Sequence, residues 1–317
     1  MGPVTDEHVL SNPSADRVKK VASLASRSGR RKQGLFLAEG PQPVREALAL
    51  WLRRWEQEPR GEKEDTRGLP HLDALYFDPQ ALSRHTEVEA LLDQVRGVLF
   101  DPEQDLPRQA RIFLREATPE VLRAMGDADT SQGVIAVCTI PQAAQETPVL
   151  RLGAALLGLQ DPGNTGTIIR AADAAGADLV VLTPGSSDPW APKVVRSAAG
   201  SHFHLPIRPG TDIEEFLGSI RSQGVQVLAA DGGGEAPLPA LARPELPTLW
   251  LLGNEAHGLS EEGKALADQR VSIPLYGSAE SLNVATAAAI CLYHSATAQH
   301  AEPAQNAESA QNPGPAQ

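Results

Sequence analysis

A chain of 317 residues is long enough for about two domains, each with a core of its own. Its 41% hydrophobic and 21% charged residues are the proportions of a folded protein rather than a disordered one, and no run of about 18 apolar residues offers a membrane span. A formal net charge of −12 argues against a surface basic all over, and the opening MGPVTDEHVL has neither the basic start nor the apolar stretch of a signal peptide.

Residues 1–14 are polar and turn-rich, which predicts a flexible N-terminus. Val18, Val21, Leu24 and Ala25 recur at helical spacing, so an amphipathic helix is expected over 15–26, with its lysines outward and a loop after it. Charge is concentrated there. Residues 16–32 hold Arg17, Lys19, Lys20, Arg27, Arg30, Arg31 and Lys32 against Asp16 alone, a local balance of +6. Such a run is either a solvated face or a footprint for a phosphate backbone. A strand follows at Leu35–Leu37, then a helix over Pro43–Trp55 with Val44, Ala47, Leu48, Trp51 and Leu52 on one face. Residues 56–68, dense in charge, Gly and Pro, read as a flexible loop. Next come a strand at Leu72–Phe77, a helix at Glu87–Val95, strands near Val98–Phe100 and Ile112–Leu114, a helix at Pro119–Met125 and a strand at Gly133–Cys138. This alternation predicts a small α/β domain over 15–138, and the two prolines of residues 139–149 predict a linker.

Over 150–299 the alternation resumes. Strands are predicted at Ala154–Leu159, Leu179–Leu182, Val225–Ala230, Leu249–Leu252 and Val271–Ile273. Helices are predicted at Thr165–Ala175, Pro192–Ala199, Ile213–Ser222, Ser260–Ala267 and Val284–Thr297. The apolar runs are continuous rather than alternating, as in parallel strands buried on both faces. Residues 300–317 are of low complexity, and a disordered tail is expected. The two halves differ in charge: residues 1–140 balance at −3 and residues 141–317 at −9. Cys138 and Cys291 form no metal or redox pattern and read as reduced core residues of a cytoplasmic protein.

In an open parallel sheet, ligands bind beyond the carboxyl ends of the strands, so the loops there are the candidates for chemistry. The first, Gln160–Gly166, runs into a helix that carries Arg170; Asn164 or Thr165 can cap it, and Gly166 permits close approach. The second, Gly253–Gly258, has glycines at both ends, as a backbone wrapped tightly around something would need, and contains Glu255 and His257. The third, Ile273–Asn283, leads into a helix of small residues, with Ser281 and Asn283 placed as caps. Each alone is compatible with an ordinary strand–turn–helix junction. No GxGxxG follows a strand, and Asp231–Glu235, though Gly-rich, lacks the Lys and Ser/Thr of a P-loop; a flexible loop at the pocket edge is the better reading. His202 and His204 lack a third ligand nearby, so no metal site is expected.

Taken together and in this order, the loops resemble the signature motifs of the SpoU (TrmH-like) RNA ribose methyltransferases of the SPOUT superfamily. The matching segments are Asp161–Ala172, Leu252–Leu259, and Ile273–Leu275 through Glu280–Ala285, with Pro192–Gly200 as the connecting segment. Residues 15–138 more loosely resemble the N-terminal substrate-binding domain of that family, with Phe36–Gly40 and Thr130–Ala136 as landmarks. The resemblance implies an α/β fold: a C-terminal SPOUT domain with a deep trefoil knot around a parallel sheet, preceded by a small α/β substrate-binding domain. It also implies a homodimer, S-adenosylmethionine as cofactor, and methyl transfer to a ribose 2′-hydroxyl of RNA, ribosomal rather than transfer RNA.

The site residues follow from the same resemblance. The cofactor pocket would be built from Leu252, Gly253, Asn254, Gly258, Ile273, Leu275, Ser281 and Leu282. Arg170, Asn164, Glu255, Ser281 and Asn283 would carry the chemistry, Arg170 orienting the ribose because its guanidinium is not readily deprotonated. In this light Arg17, Lys19, Lys20, Arg30, Arg31 and Lys32 become RNA contacts. The competing readings are the same activity on tRNA, a non-catalytic RNA-binding or ribosome-assembly protein on the same fold, and a dehydrogenase-like enzyme, which would need the missing glycine fingerprint.

Overall fold

The computed structural model describes residues 9–55, 68–103, 105–142, 149–254 and 257–301. Most of the loop expected at 56–68, most of the 139–149 linker, the start of the N-terminus, Glu255 and nearly all of the tail lie outside these residues.

The first half is a four-stranded sheet with helices on both faces. Its strands are β1 (Leu35–Glu39), β2 (Leu72–Phe77), β3 (Phe113–Glu116) and β4 (Val134–Thr139), in the order β1-β4-β2-β3. β4 runs antiparallel to both neighbours, and β2 pairs with β3 in parallel. Alternate side chains face opposite layers, as the pleat requires. Leu37, Tyr76 and Val137 pack under helices α1 (Asp16–Ala22) and α6 (Pro119–Met125). Phe36, Leu75 and Cys138 pack on the other side, with α3 (Pro41–Trp55) and α5 (Thr86–Leu99); the short α4 (Pro79–Leu82) precedes α5. Two expectations are corrected here. Residues 27–33 form a helix, α2 (Arg27–Gln33), not a loop, capped by the Ser26 hydroxyl at its start and by Gly34 at φ +66° at its end. Val98 and Leu99 belong to α5, not to a strand, because Val88, Leu92, Val95 and Leu99 continue one helical stripe. The lead-in is also anchored sooner than expected, since Leu10 bridges to Ala117.

The second half is a seven-stranded sheet, parallel throughout. It comprises β5 (Leu152–Leu156), β6 (Leu179–Leu182), β7 (Ile207–Pro209), β8 (Gln226–Ala230), β9 (Ala236–Pro237), β10 (Thr248–Leu252) and β11 (Gln269–Ser272), in the order β7-β6-β5-β10-β8-β11-β9. β7 and β9 were not predicted: three and two residues, each with a proline, leave no apolar run to read. Phe216, Leu217 and Ile220 of α9 (Ile213–Arg221) cover one face, near the short α10 (Glu261–Ala265). The other face carries α7 (Pro162–Ala174), α8 (Pro192–Ser197) and α11 (Val284–His300), where the Trp250 indole N–H donates to the Ser295 hydroxyl at 3.1 Å.

The α3 and α5 side of the first sheet and the α7, α8 and α11 side of the second share one apolar core. At the seam, Phe36 packs against Trp190 (ring centroids 5.0 Å) and Phe203 (6.3 Å), and Trp190 against His202 (5.4 Å). Burial pushes His202 down to about 4, so its ring is neutral. Among the described residues, three side chains make polar ties across the same seam. Arg30 pairs with Asp188 at 2.6 Å, Arg196 with Asp127 at 3.0 Å, and His204 bridges Glu46 (3.0 Å) and Asp173 (2.8 Å). Both cysteines are free and buried, and burial pushes the Cys291 thiol up to about 12. No helix among the described residues is long and apolar enough to cross a membrane.

Candidate active site

The three singled-out loops meet at the carboxyl ends of β5, β10 and β11. In the first, helix α7 starts earlier than predicted. Asp161, not Asn164 or Thr165, is its cap, accepting the Asn164 N–H at 2.7 Å, and Pro162 occupies the first turn, where its missing N–H costs nothing. Thr165 is instead wholly buried and shares a 2.7 Å hydrogen bond with the Ser187 hydroxyl. Gly166 permits close approach, but to the chain's own α8: a Cβ there would lie 2.5 Å from the Val194 carbonyl oxygen.

The second loop folds back on itself. The Asn254 N–H donates to the Gly258 carbonyl and the Gly258 N–H to the Asn254 carbonyl, both at 2.9 Å. Gly253 faces this return so closely that a Cβ would stand 2.2 Å from the Gly258 carbonyl carbon, so only glycine fits. The Asn254 side-chain amide donates to the Gly158 carbonyl at 3.1 Å and ties the second loop to the turn just after β5, ahead of the first loop.

In the third loop Asn283 is the cap of α11, its Oδ1 accepting from the N–H groups of Ala285 (2.9 Å) and Thr286 (3.3 Å). Its Nδ2 donates to Asn164 Oδ1 at 3.0 Å, joining motifs 119 residues apart. Ser281 does not cap; it is exposed and lines the cavity.

Between the second and third loops lies a cavity of about 580 Å³, within the usual size of small-ligand sites. Leu252, Gly253, Asn254, Gly258, Ile273, Leu275, Ser281 and Leu282, the whole predicted cofactor set, line it. Val271, Val284 and Ala287 also contribute to the wall, as does the turn Ala230–Gly232 after β8. That turn was placed at the pocket edge by its glycines, but it is held rather than loose. Arg270 donates to Asp231 at 2.9 Å and to the Gly233 carbonyl at 2.8 Å. Nothing in the sequence pairs Arg270 with a turn 39 residues earlier.

Of the predicted chemical residues, Ser281 lines this cavity, and Asn283, between the lining residues Leu282 and Val284, bonds Asn164 beside it. Glu255 lies outside the described residues. Arg170 stands apart, on the exposed face of α7. Six residues separate it from Asn164, about 9 Å along the axis and on a different side of the helix. Near it on the same surface are Ala174, whose carbonyl accepts from the Tyr293 hydroxyl at 3.4 Å, and the exposed Ile290 and Tyr293 of α11.

The basic run divides. Arg17, Lys19, Lys20, Arg31 and Lys32 are exposed, Arg17 lying 4.0 Å over the Phe113 ring. Arg30 is buried at 4% exposure. Its guanidinium is consumed by Asp188 and by the carbonyls of Leu24 and Ala25, both at 2.8 Å, so the expectation that it contacts RNA is corrected: it is a strut inside the fold.

Comparison with known proteins gives consistent results. Residues 151–293 match the SpoU rRNA Methylase family. The 23S rRNA (guanosine(2553)-2′-O)-methyltransferase RlmP of Bacillus subtilis is 38% identical over 202 residues, which is 63% of this chain and 80% of that protein. Among solved structures, an RNA 2′-O ribose methyltransferase aligns with a TM-score of 0.69 and 26% identity, covering 92% of this chain and 99% of that one. The SpoU methyltransferase AviRb of Streptomyces viridochromogenes, solved with AdoMet, aligns with a TM-score of 0.67 and 27% identity over 89% of this chain and 97% of its own.

Proposed function

The chain belongs to the SpoU rRNA methylase family and is an S-adenosylmethionine-dependent RNA 2′-O-ribose methyltransferase; from this premise we propose that it methylates one ribose of ribosomal RNA, as a homodimer in the cytoplasm. The observation that carries the reading is the cavity of about 580 Å³ lined by the second and third loops and the turn after β8, with the third loop held to the start of α7 by the Asn164–Asn283 hydrogen bond.

The residues present fit the cofactor. Leu252, Ile273 and Leu282 offer apolar walls for adenine, Gly253 lets the second loop close on its own return beside the cavity, and Asn254 and Ser281 add polar groups. When bound, S-adenosylmethionine supplies an electrophilic methyl group on sulfur. Displacement at that carbon needs the ribose oxygen in line more than it needs a strong base. Asn283 and Asn164 hold the third loop in register with the start of α7, and Ser281, on the cavity wall, would contact the cofactor. Arg170 orients the target ribose and its neighbouring phosphate through a permanently charged planar fork. The exposed α7 and α11 surface, with Ile290 and Tyr293 beside Arg170, supports pairing with a second copy, which puts Arg170 at the subunit boundary. The deep trefoil knot belongs to the same proposal, supported by the path of the chain from β11, near one edge of the sheet, back to α11 over β5 and β10. The free, buried cysteines support the cytoplasmic placement.

Arg170→Ala should bind S-adenosylmethionine as the wild type does in calorimetry, yet lose at least about a hundredfold in methylation rate. An active variant would sink the assignment of Arg170. Mapping 2′-O-methyl sites on total RNA with and without the protein should show one ribosomal position lost.

A further inference from the structure

A second cleft, away from the cofactor cavity, lies on the seam between the two sheets. Its volume is about 530 Å³, room for about one nucleotide on the scale of small-ligand sites. Helix α2 lines one side and the loop Thr183–Asp188 after β6 another, and Ile140–Gln142 also line it. The β6 loop lies at the carboxyl end of the parallel sheet, the same end as the cofactor cavity.

The charges of this cleft do not cancel. Arg30 and Asp188 neutralise each other in their 2.6 Å ion pair. That leaves Arg27 and Arg31, both exposed on the α2 wall, forming no ion pair with any described residue. In a chain of net charge −12, this is a locally cationic groove. Its walls are also fixed. Arg30 locks α2 to the β6 loop, and the Ser187 N–H donates to the Leu159 carbonyl at 2.8 Å. The Ser187 hydroxyl bonds Thr165 at 2.7 Å, in the first turn of α7. The same turn carries Asn164, which bonds Asn283 beside the cofactor cavity. The groove is therefore mechanically continuous with the site of chemistry.

We infer that the cleft between α2 and the β6 loop is a backbone-binding groove, in which Arg27 and Arg31 hold the phosphodiester chain of an RNA strand leading to the methylated ribose. This rests on the reading of the protein as an RNA methyltransferase and adds to it a place, a second wall and a residue, Arg27. Two solvent-facing guanidinium forks on one helix suit successive phosphates, to which arginine can bond in bidentate fashion. Arg30 acts here by positioning the wall, not by touching RNA.

The test uses the full chain and deproteinised total ribosomal RNA from cells lacking the protein. Reversing both charges, Arg27→Glu with Arg31→Glu, should raise the Kd for this RNA at least about tenfold and flatten the salt dependence by about 1.4 in log–log slope, roughly 0.7 for each lost single-strand contact. Calorimetry should find S-adenosylmethionine binding within twofold of wild type. Gln142→Cys, at an exposed residue that lines the groove, can be labelled selectively with a benzophenone because Cys138 and Cys291 are buried. It should crosslink the bound RNA. An unchanged salt slope, or no crosslink to RNA that the wild type binds and methylates, overturns the groove and leaves the enzyme reading intact. A wild type that neither binds nor methylates this RNA overturns both.

Discussion

Neighbouring arginines of one helix do opposite things. In α2, Arg30 is buried against Asp188 and two carbonyls, while Arg31 is open to solvent. Arg30→Ala leaves the Asp188 carboxylate and two carbonyl oxygens without their donor at a mostly dry seam. About 3 kcal/mol of stability should be lost, against less than about 0.5 kcal/mol for Arg31→Ala. Urea denaturation of the two variants measures the difference, and equal midpoints would contradict the burial argument. The sequence could not separate them. The seven residues of α2, RSGRRKQ, contain no apolar side chain, so no periodicity says which face turns inward. The cofactor wall, by contrast, was legible only through the resemblance of whole motifs to the SpoU family; each of its loops alone reads as an ordinary strand–turn–helix junction.

Helix α7 shows how an element boundary is read and misread. The dipeptide Asp161-Pro162 is a cap followed by a first-turn proline, a start signal that places the helix three residues earlier than its apolar spacing suggested. Elements held by long-range pairing, β7 and β9 above all, left no local signal. Another tie invisible in sequence is the clasp of His204 between Glu46 on α3 and Asp173 on α7. Hydrogen bonds to Asp173 and Glu46 push His204 up to about 9, and the bond from His204, with Arg45 beside it, holds Glu46 down at about 2. A raised histidine contributes stability in full below its ordinary value near 6.5 and loses it as pH rises through 9. A lowered carboxylate contributes above 4.5 and loses it as pH falls through 2. The clasp is thus complete between about pH 4.5 and 6.5. Wild type should lose about 1–2 kcal/mol more than His204→Gln between pH 6.5 and 9, allowing for partial solvent screening. Parallel pH curves for the two proteins would rule the clasp out. His202 acts in the opposite sense: buried and neutral, it removes stability as pH falls from 6.5 towards 4.

At the scale of the molecule, the alternation of elements told of two sheets, and two sheets are present. What it could not tell is that they share a core. Phe36 meets Trp190 and Phe203 only through the fold, and nothing local in either segment marks the contact. Because that seam is apolar and crossed by polar ties, the two halves should unfold together. Calorimetry should give one transition, with calorimetric and van't Hoff enthalpies equal. A fragment beginning at residue 149 would expose the Trp190–Phe203 face and should melt at least about 5 °C lower. A second resolved transition in the whole chain would contradict the shared core.

The hydrogen bond between Asn164 and Asn283 also has a consequence in time. Its partners are 119 residues apart, which a ribosome adding about 5–20 residues per second needs roughly 6–24 seconds to make. For most of that interval the nascent chain carries α2, the β6 loop and Arg170, while the third loop of the cofactor cavity has not been synthesised. Methyl transfer is therefore the last capability the growing polypeptide acquires, and the surfaces expected to meet RNA emerge before it.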